Sequence, residues 1–143
     1  MRRLTISILL VAIGLHLCAA AKDESVIELK ARFEKARPEE RPELAMRIAQ
    51  HQLHDADKFY GEGNVDQAAA AVGDIAAYSE KGRDAAIQTR KHLKNVEIDV
   101  RKIAEKLRDI KRTLAFEDQA PVEQAVRRLE DVRTSLLKEM FAK

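Results

Sequence analysis

Two histidines and an aspartate are the first residues whose types and spacing point to chemistry. A helix would carry His51, His54 and Asp55 on or near one face. Imidazole and carboxylate groups are ligands that zinc accepts, so these three are the candidate metal ligands. A carboxylate-bridged two-metal bundle needs Glu-x-x-His on two helices and glutamates on two more, and the sequence lacks that set. We interpret all three as solvated polar residues and predict no bound metal.

His92 is a second candidate ligand, in this case for haem. It precedes a strongly periodic apolar segment, and Met46 or Met140 would be the axial partner. Methionines at helical spacing are more often core residues than ligands. We therefore predict no cofactor and keep a metal or haem carrier as a minor alternative.

The residue pattern gives little support to catalysis. The hydroxyl residues lie outside any strand-turn-helix elbow or glycine-rich setting. Among them are Ser25, Ser79, Thr89, Thr113 and Ser135. The segment Gly61-Glu62-Gly63 lacks the further glycines and the lysine of a phosphate-binding loop. We predict that the protein is not an enzyme.

The composition of the chain indicates long helices. Its 143 residues are 35% charged and only 4% aromatic, with 5 Gly, 3 Pro and no Trp. Strand and turn architectures are poorly supplied with their usual residues, whereas alanine, leucine, glutamate, lysine and arginine favour helix. The chain is also too short for a barrel or a complete dinucleotide-binding domain. The composition predicts an all-α fold.

The first 21 residues are typical of a secretory signal peptide. Arg2 and Arg3 precede an apolar stretch from Leu4 to Leu17, and Ala19-Ala20-Ala21 offers small residues for cleavage after Ala21. Cleavage would leave residues 22–143 as a single helical domain, periplasmic or secreted, with no stable membrane span. An uncleaved N-terminal anchor is the main alternative, and lipidation at Cys18 is another.

Cleavage would also change the charge and the cysteine content. Without Arg2 and Arg3 the chain holds 24 basic and 24 acidic side chains, and Cys18 would leave with the signal. A formally neutral domain lacks the basic footprint of a nucleic-acid-binding protein, so we predict no nucleic-acid partner. Without a cysteine, stability depends on helix packing rather than on disulfides.

Helix signals divide the first half of the predicted domain. Ser25 and Glu28 fit a capping box for a first helix that ends before Pro38. Pro42 suits the first turn of a second helix, which ends at Gly61–Asn64. From Val65 the chain is predicted to be helical over a long stretch, with Gly73 and Gly82 as points where it could break. We predict a helical hairpin over about 42–80.

The second half carries two apolar seams. The first alternates spacings of three and four residues, and Asp118 is the predicted N-cap of the helix that carries the second. The first seam is Leu93, Val96, Val100, Ile103, Leu107, Ile110 and Leu114, and the second is Val122, Ala125, Leu129, Val132, Leu136 and Met140. Ile98 lies off the first seam and broadens it toward a third helix. We predict a coiled-coil-like antiparallel hairpin over about 83–141, within a helical bundle or a short helical-hairpin solenoid.

Residues 52–80 resemble a single tetratricopeptide repeat. The resemblance rests on its small, aromatic, glycine and alanine positions, with Val72 in place of a bulky aromatic residue. The matching residues are Ala56, Phe59, Gly63 and Ala68. The resemblance implies protein or peptide binding in a helical groove.

The predicted function is protein contact. We expect binding near residues 44–80 or self-association along the 93–140 hairpin. Phe59, Tyr60 and Tyr78 are the candidate partner anchors, because aromatic side chains give large contact area at low entropic cost. The tyrosines suit a polar edge better than Phe59 does. A chaperone-like or envelope-stress protein that holds unfolded clients is the alternative, and it requires a contiguous exposed apolar patch.

Charge is divided unevenly along the predicted domain. Residues 22–80 hold 8 basic and 13 acidic side chains, whereas residues 81–143 hold 16 and 11. Within the second half, residues 81–112 hold 11 basic and 5 acidic groups. This pattern is typical of two halves that pack on each other or on a second copy of the chain. The alternative is a basic surface for anionic partners.

Overall fold

The computed structural model describes residues 24–143, and all regular structure in that range is helical. The elements are α1 (Val26–Lys35), α2 (Arg41–Gly61), α3 (Val65–Thr89), α4 (Leu93–Thr113), a 3-10 turn (Phe116–Asp118) and α5 (Ala120–Phe141). The predicted all-α class is thereby confirmed. The proposed signal peptide lies outside the described residues. Within residues 24–143, no helix combines the length and the apolar character needed to cross a membrane.

The first helix begins where the capping box was predicted. Ser25 Oγ accepts the Glu28 N–H at 3.2 Å, and the Glu28 carboxylate accepts the Ser25 N–H at 3.1 Å. Helix α1 then buries Leu29 and Phe33. Pro42 lies in the first turn of α2, as its fixed φ favours.

Helices α2 and α3 form an antiparallel hairpin closed by a glycine turn. Gly63 has φ +76°, a left-handed conformation that glycine adopts without steric penalty. Helix α3 continues through both Gly73 and Gly82, so neither glycine breaks it. Small buried side chains fill much of this hairpin: Ala45, Ala49, Ala56, Ala68, Ala71 and Ala76.

The turn between α3 and α4 corrects the predicted boundary of the second hairpin. Helix α3 ends at Thr89 and α4 begins at Leu93, so residues 83–89 belong to the first hairpin. Arg90 (φ 55°) and His92 (φ 63°) turn the chain in left-handed conformations. No glycine or proline marks this turn in the sequence, which is why the helical pattern appeared unbroken.

Helices α4 and α5 form the second antiparallel hairpin. Both predicted seams are buried, with Leu93, Leu114 and Met140 half-buried at the ends. Asp118 is not the N-cap of α5, because it lies in the 3-10 turn. The capping position is occupied by Gln119, whose side-chain amide donates to the Leu114 carbonyl at 3.1 Å.

The two hairpins stack with their equivalent helices side by side. Helix α3 packs against α5, and α2 packs against α4. Arg128 pairs with Glu80 while Arg90 pairs with Glu139, so α3 and α5 run parallel. Helix α1 lies against α2 on the outside of this stack. The predicted helical-hairpin architecture is thus a pair of stacked hairpins with one additional helix.

Candidate partner-binding groove

The predicted aromatic anchors occupy different environments. Tyr78 is only 8% exposed and its ring packs edge-on against Phe33, with centroids 5.6 Å apart. Phe59 and Tyr60 are less buried than Tyr78. We expected the tyrosines to be more exposed than Phe59, but Tyr78 is the more buried residue. The reason is that Phe33 of α1 packs against it. Tyr78 therefore presents little surface to a partner.

Tyr60 packs against the core, and its hydroxyl is not exposed to solvent. Its hydroxyl is buried and has no hydrogen-bond partner among the described residues. Burial raises the pKa of the Tyr60 hydroxyl, and the nearby Asp118 carboxylate adds to this effect. Tyr60 thus packs toward the α4–α5 turn.

The histidine candidates lie at the protein surface. His51, His54 and Asp55 line a surface cleft beside the start of α1, together with Ser25 and Ile27. No group of three or more His, Cys, Asp or Glu side chains is placed to hold a metal ion in the described part of the chain. We find no geometry here that supports the metal-carrier alternative.

His92 has a polar neighbour on α2. Its Nδ1 lies 3.3 Å from Glu43 Oε1, which links the start of α4 to the start of α2. The Met46 side chain is buried, and its Cε lies toward Gly82 of α3. The His92 and Met46 side chains are therefore directed to different contacts.

The hydroxyl residues between 24 and 143 show no nucleophile geometry. Thr89, Thr113, Thr134 and Ser135 each donate to a backbone carbonyl of their own helix. Ser79 is fully buried and its Oγ has no partner in this range. A catalytic hydroxyl would instead contact a base such as histidine.

A surface groove lies between α2 and α4. We call it the α2–α4 groove, with a volume of about 340 Å³. Its walls are helix faces whose residues recur every three or four positions. These residues are Glu43, Met46, Arg47 and Gln50 from α2, and Asn95, Ile98 and Asp99 from α4.

The groove combines an apolar floor with polar rims. Ile98 is half-buried and offers apolar surface at the base, beside the buried Met46. Gln50 and Asn95 are exposed, and each side-chain amide carries both donor and acceptor groups. Such amides can pair with the main chain of a bound peptide. Binding would then require no particular side chain at that point of the peptide.

Asp99 gives the α4 wall a partly desolvated carboxyl. Burial raises the pKa of this carboxyl, and the neighbouring Lys102 ammonium opposes the shift. Sequence analysis missed Asn95 and Asp99, because neither belongs to a motif. The one indication of the groove in the sequence was Ile98, an apolar residue that lies off the buried seam.

The chaperone-like and self-association alternatives both require exposed apolar surface. The three large hydrophobic residues exposed in the described chain are Ile27 (80%), Phe116 (88%) and Phe141 (75%). Phe116 precedes α5 and Phe141 ends it, so the rise of 22 helical residues, about 33 Å, separates them. Phe116 and Phe141 therefore do not belong to one contiguous patch of the kind that a chaperone-like protein needs. The seam residues of the second hairpin are buried within the chain.

The residues behind the tetratricopeptide resemblance lie in the first hairpin. Ala56 and Ala68 are fully buried, and Gly63 forms the turn. No family model, curated protein or solved structure matches the chain.

Proposed function

We propose that this chain is an exported, non-enzymatic helical protein that binds a segment of another protein in the α2–α4 groove. The observation that carries the proposal is the groove itself, in which the half-buried Ile98 offers apolar surface between exposed amides. Export is supported by the basic, apolar and small-residue pattern of residues 1–21.

The stacking of the hairpins supports this assignment. Helices α2 and α4 are the first helices of successive hairpins and run side by side. Helical-repeat proteins bind partners on the concave surfaces that such stacking creates. The resemblance of residues 52–80 to a tetratricopeptide repeat is consistent with the same use.

The size of the groove favours a short segment and a transient contact. A volume of about 340 Å³ admits only a few side chains. Stable complexes generally bury about 1,600 Å² in total, which is more than a short segment in one groove provides. We expect an extended segment that places one apolar side chain over Ile98 and pairs its main chain with Gln50 and Asn95.

Photo-crosslinking in the producing cells tests the groove. A photoreactive residue at Gln50 or Asn95 should yield one discrete protein adduct, whereas the same residue at Gln124 should not. Gln124 is a matched control because it is exposed on α5. Ile98→Arg should remove the adduct without changing the melting temperature, because Ile98 contributes to the groove floor rather than to the buried seam.

Four results would contradict the proposal. Equal adducts at Gln50 and Gln124, or none at either groove position, would exclude binding in the groove. A broad distribution of adduct masses would favour the chaperone-like alternative. An adduct of twice the chain mass would indicate self-association.

Native mass spectrometry tests the remaining parts of the proposal. Protein purified without tags from the envelope fraction or the medium should have the mass of residues 22–143. The uncleaved mass would favour the anchor, and a lipid adduct would favour modification at Cys18. A stoichiometric metal or haem would instead establish a carrier.

A further inference from the structure

The basic side chains of residues 81–112 divide into two groups. Six of the 11 form ion pairs within the chain: Arg83, Arg90, Arg101, Arg108, Lys111 and Arg112. The other five are all exposed lysines without an ion pair to a described residue: Lys81, Lys91, Lys94, Lys102 and Lys106. Every arginine of this segment therefore has a carboxylate within the chain, and the unmatched charge is carried by lysines.

Three of these lysines lie along the outer face of α4. Lys94, Ile98, Lys102 and Lys106 follow at intervals of four residues, so they form a continuous, slightly inclined row. We call Lys94, Lys102 and Lys106 the α4 lysine row. The helical rise places Lys94 and Lys102 about 12 Å apart, and Lys102 and Lys106 about 6 Å apart. Ile98, in the α2–α4 groove, lies between the first two.

The opposite wall of the groove carries the charged residues Arg47 and Glu43. Arg47 lies 3.4 Å from Glu24, and Glu43 lies 3.3 Å from the His92 ring. On the α4 wall the Asp99 carboxyl lines the groove, and the positive charge beside it that has no ion pair to a described residue is that of the α4 lysine row. Lysine suits contact with carboxylates, because its compact ammonium on a flexible stem accepts them in many geometries.

We propose that the α2–α4 groove recognises an acidic segment, which places an apolar side chain over Ile98 and carboxylates on the α4 lysine row. This inference rests on the proposed function and specifies its partner. Acidic residues two apart in an extended segment are about 6.7 Å apart, close to the spacing of Lys102 and Lys106.

An anionic membrane fits this surface less well. Glu105 and Asp109 lie on the same outer face of α4 as the lysines. They would approach a flat anionic surface together with the lysine row, and like charges repel. A narrow segment can follow the lysines and avoid both carboxylates. The outer face of α4 also has no aromatic residue to insert among lipids.

Direct binding to the full-length gene product, processed as in the cell, tests the inference. The probe is a fluorescent peptide in which glutamate and leucine alternate, compared with peptides that carry lysine or glutamine in place of glutamate. Saturable binding is expected for the glutamate peptide and should weaken as salt is added. The double variant K102E/K106E should weaken it about tenfold, as for two lost surface ion pairs.

Two matched variants control for net charge and for lysine itself. K35E/K138E changes the net charge equally at lysines of α1 and α5 that have no ion pair among the described residues, and it should bind like the wild type. K102R/K106R keeps the positive charge and should retain binding. Circular dichroism should show the same helix content and melting for all variants.

Other outcomes overturn the inference. These are an absence of saturable binding to the glutamate peptide, equal binding of the lysine peptide, or equal losses in K102E/K106E and K35E/K138E. Binding to phosphatidylserine vesicles without binding to the peptide would assign the lysine row to membranes. If Gln50 still forms its discrete adduct in K102E/K106E, groove binding stands and only the acidic character of the partner fails. If the wild-type chain gives equal adducts at Gln50 and Gln124, groove binding itself is contradicted.

Discussion

The α2–α3 hairpin closes largely on alanines, whereas the α4–α5 hairpin closes on valine, isoleucine and leucine. In the first, buried Ala45, Ala49 and Ala76 let the helices approach closely. In the second, Val100, Ile103 and Leu107 fill the space between helices, as larger side chains do. The comparison shows that one chain obtains antiparallel pairing by two different kinds of packing.

The polar contacts differ in the same way. Along the second hairpin, Arg133 donates to Glu97 at 3.1 Å, Arg108 to Glu130 at 2.6 Å, and Lys111 pairs with Glu123 at 2.6 Å. The first hairpin has one such cross-link, in which Gln52 donates to Asp74 at 2.7 Å. A repeating aliphatic seam permits slippage, and charges beside it fix the alignment. In the α2–α3 hairpin, the close steric fit of the alanine-rich faces fixes the alignment of the helices instead.

The largest expected effect comes from a charge in the aliphatic seam. Ile103→Asp places a carboxylate at a site that is 2% exposed. Without a partner, a buried charge of this kind destabilises a protein by about 3–5 kcal/mol. Urea unfolding followed by circular dichroism should show a loss of this size or complete unfolding. The same substitution at half-buried Ile98 should cost less than about 1 kcal/mol, and equal losses at both positions would contradict the packing of α4.

The next largest loss of stability is expected from breaking an ion pair beside that seam. Glu97 is 8% exposed and has Arg101 as a second, more distant partner at 3.8 Å. Arg133→Met removes the nearer guanidinium, so we expect a loss of about 1–3 kcal/mol. Replacing both Glu97 and Arg133 with leucine should restore most of it, because no buried charge is left unmatched. A double variant as unstable as Arg133→Met would show that the arginine acts through packing instead.

Local signals in the sequence predicted most of the helices. The Ser25–Glu28 capping box, Pro42 in the first turn of α2 and the turn at Gly63 all depend on neighbouring residues. The aliphatic seams were also predictable, because a spacing of three and four residues defines a helix face without reference to the rest of the fold.

Features that depend on distant residues were not predictable in this way. Tyr78 is buried because Phe33 of another helix packs on it. The turn at Arg90 and His92 uses left-handed residues of types that carry no turn signal. The α2–α4 groove arises only when two hairpins stack, so helical spacing identified Ile98 as an additional apolar contact but not the helix opposite it.

Alanine substitutions at the two glycines of α3 should change the stability of the protein by smaller amounts and in different directions. Gly73 is exposed and has open space where an added Cβ would lie, so Gly73→Ala should stabilise the protein by about 0.5–1 kcal/mol. At Gly82 an added Cβ would lie 2.9 Å from Met46 Cε and 3.2 Å from Ala45 Cβ. Met46 can move, but Ala45 moves only with α2, so Gly82→Ala should be neutral or destabilising. Urea midpoints that rise equally for both would contradict the close fit of the first hairpin.

The smallest expected effect lies between the hairpins and depends on pH. Arg128 of α5 donates two hydrogen bonds of 2.8 Å to Glu80 of α3, and these lower the pKa of the Glu80 carboxyl from its ordinary value of 4.5. Because the folded-state pKa is the lower one, this stabilisation is present above about pH 4.5 and is lost as the pH falls through the folded-state value. Both side chains are about one-third exposed, so the contribution should not exceed about 1 kcal/mol.

Arg128→Gln isolates this contribution, with Arg127→Gln as its control. Arg127 is exposed and forms no ion pair with a described residue. Unfolding free energies should separate the Arg128 variant from the wild type at pH 7 and converge at pH 3, while the control follows the wild type throughout. A difference that persists at pH 3 would show that the stem of Arg128 packs the hairpins together. Convergence would instead establish an electrostatic, acid-sensitive link between two hairpins whose own interfaces are mainly apolar.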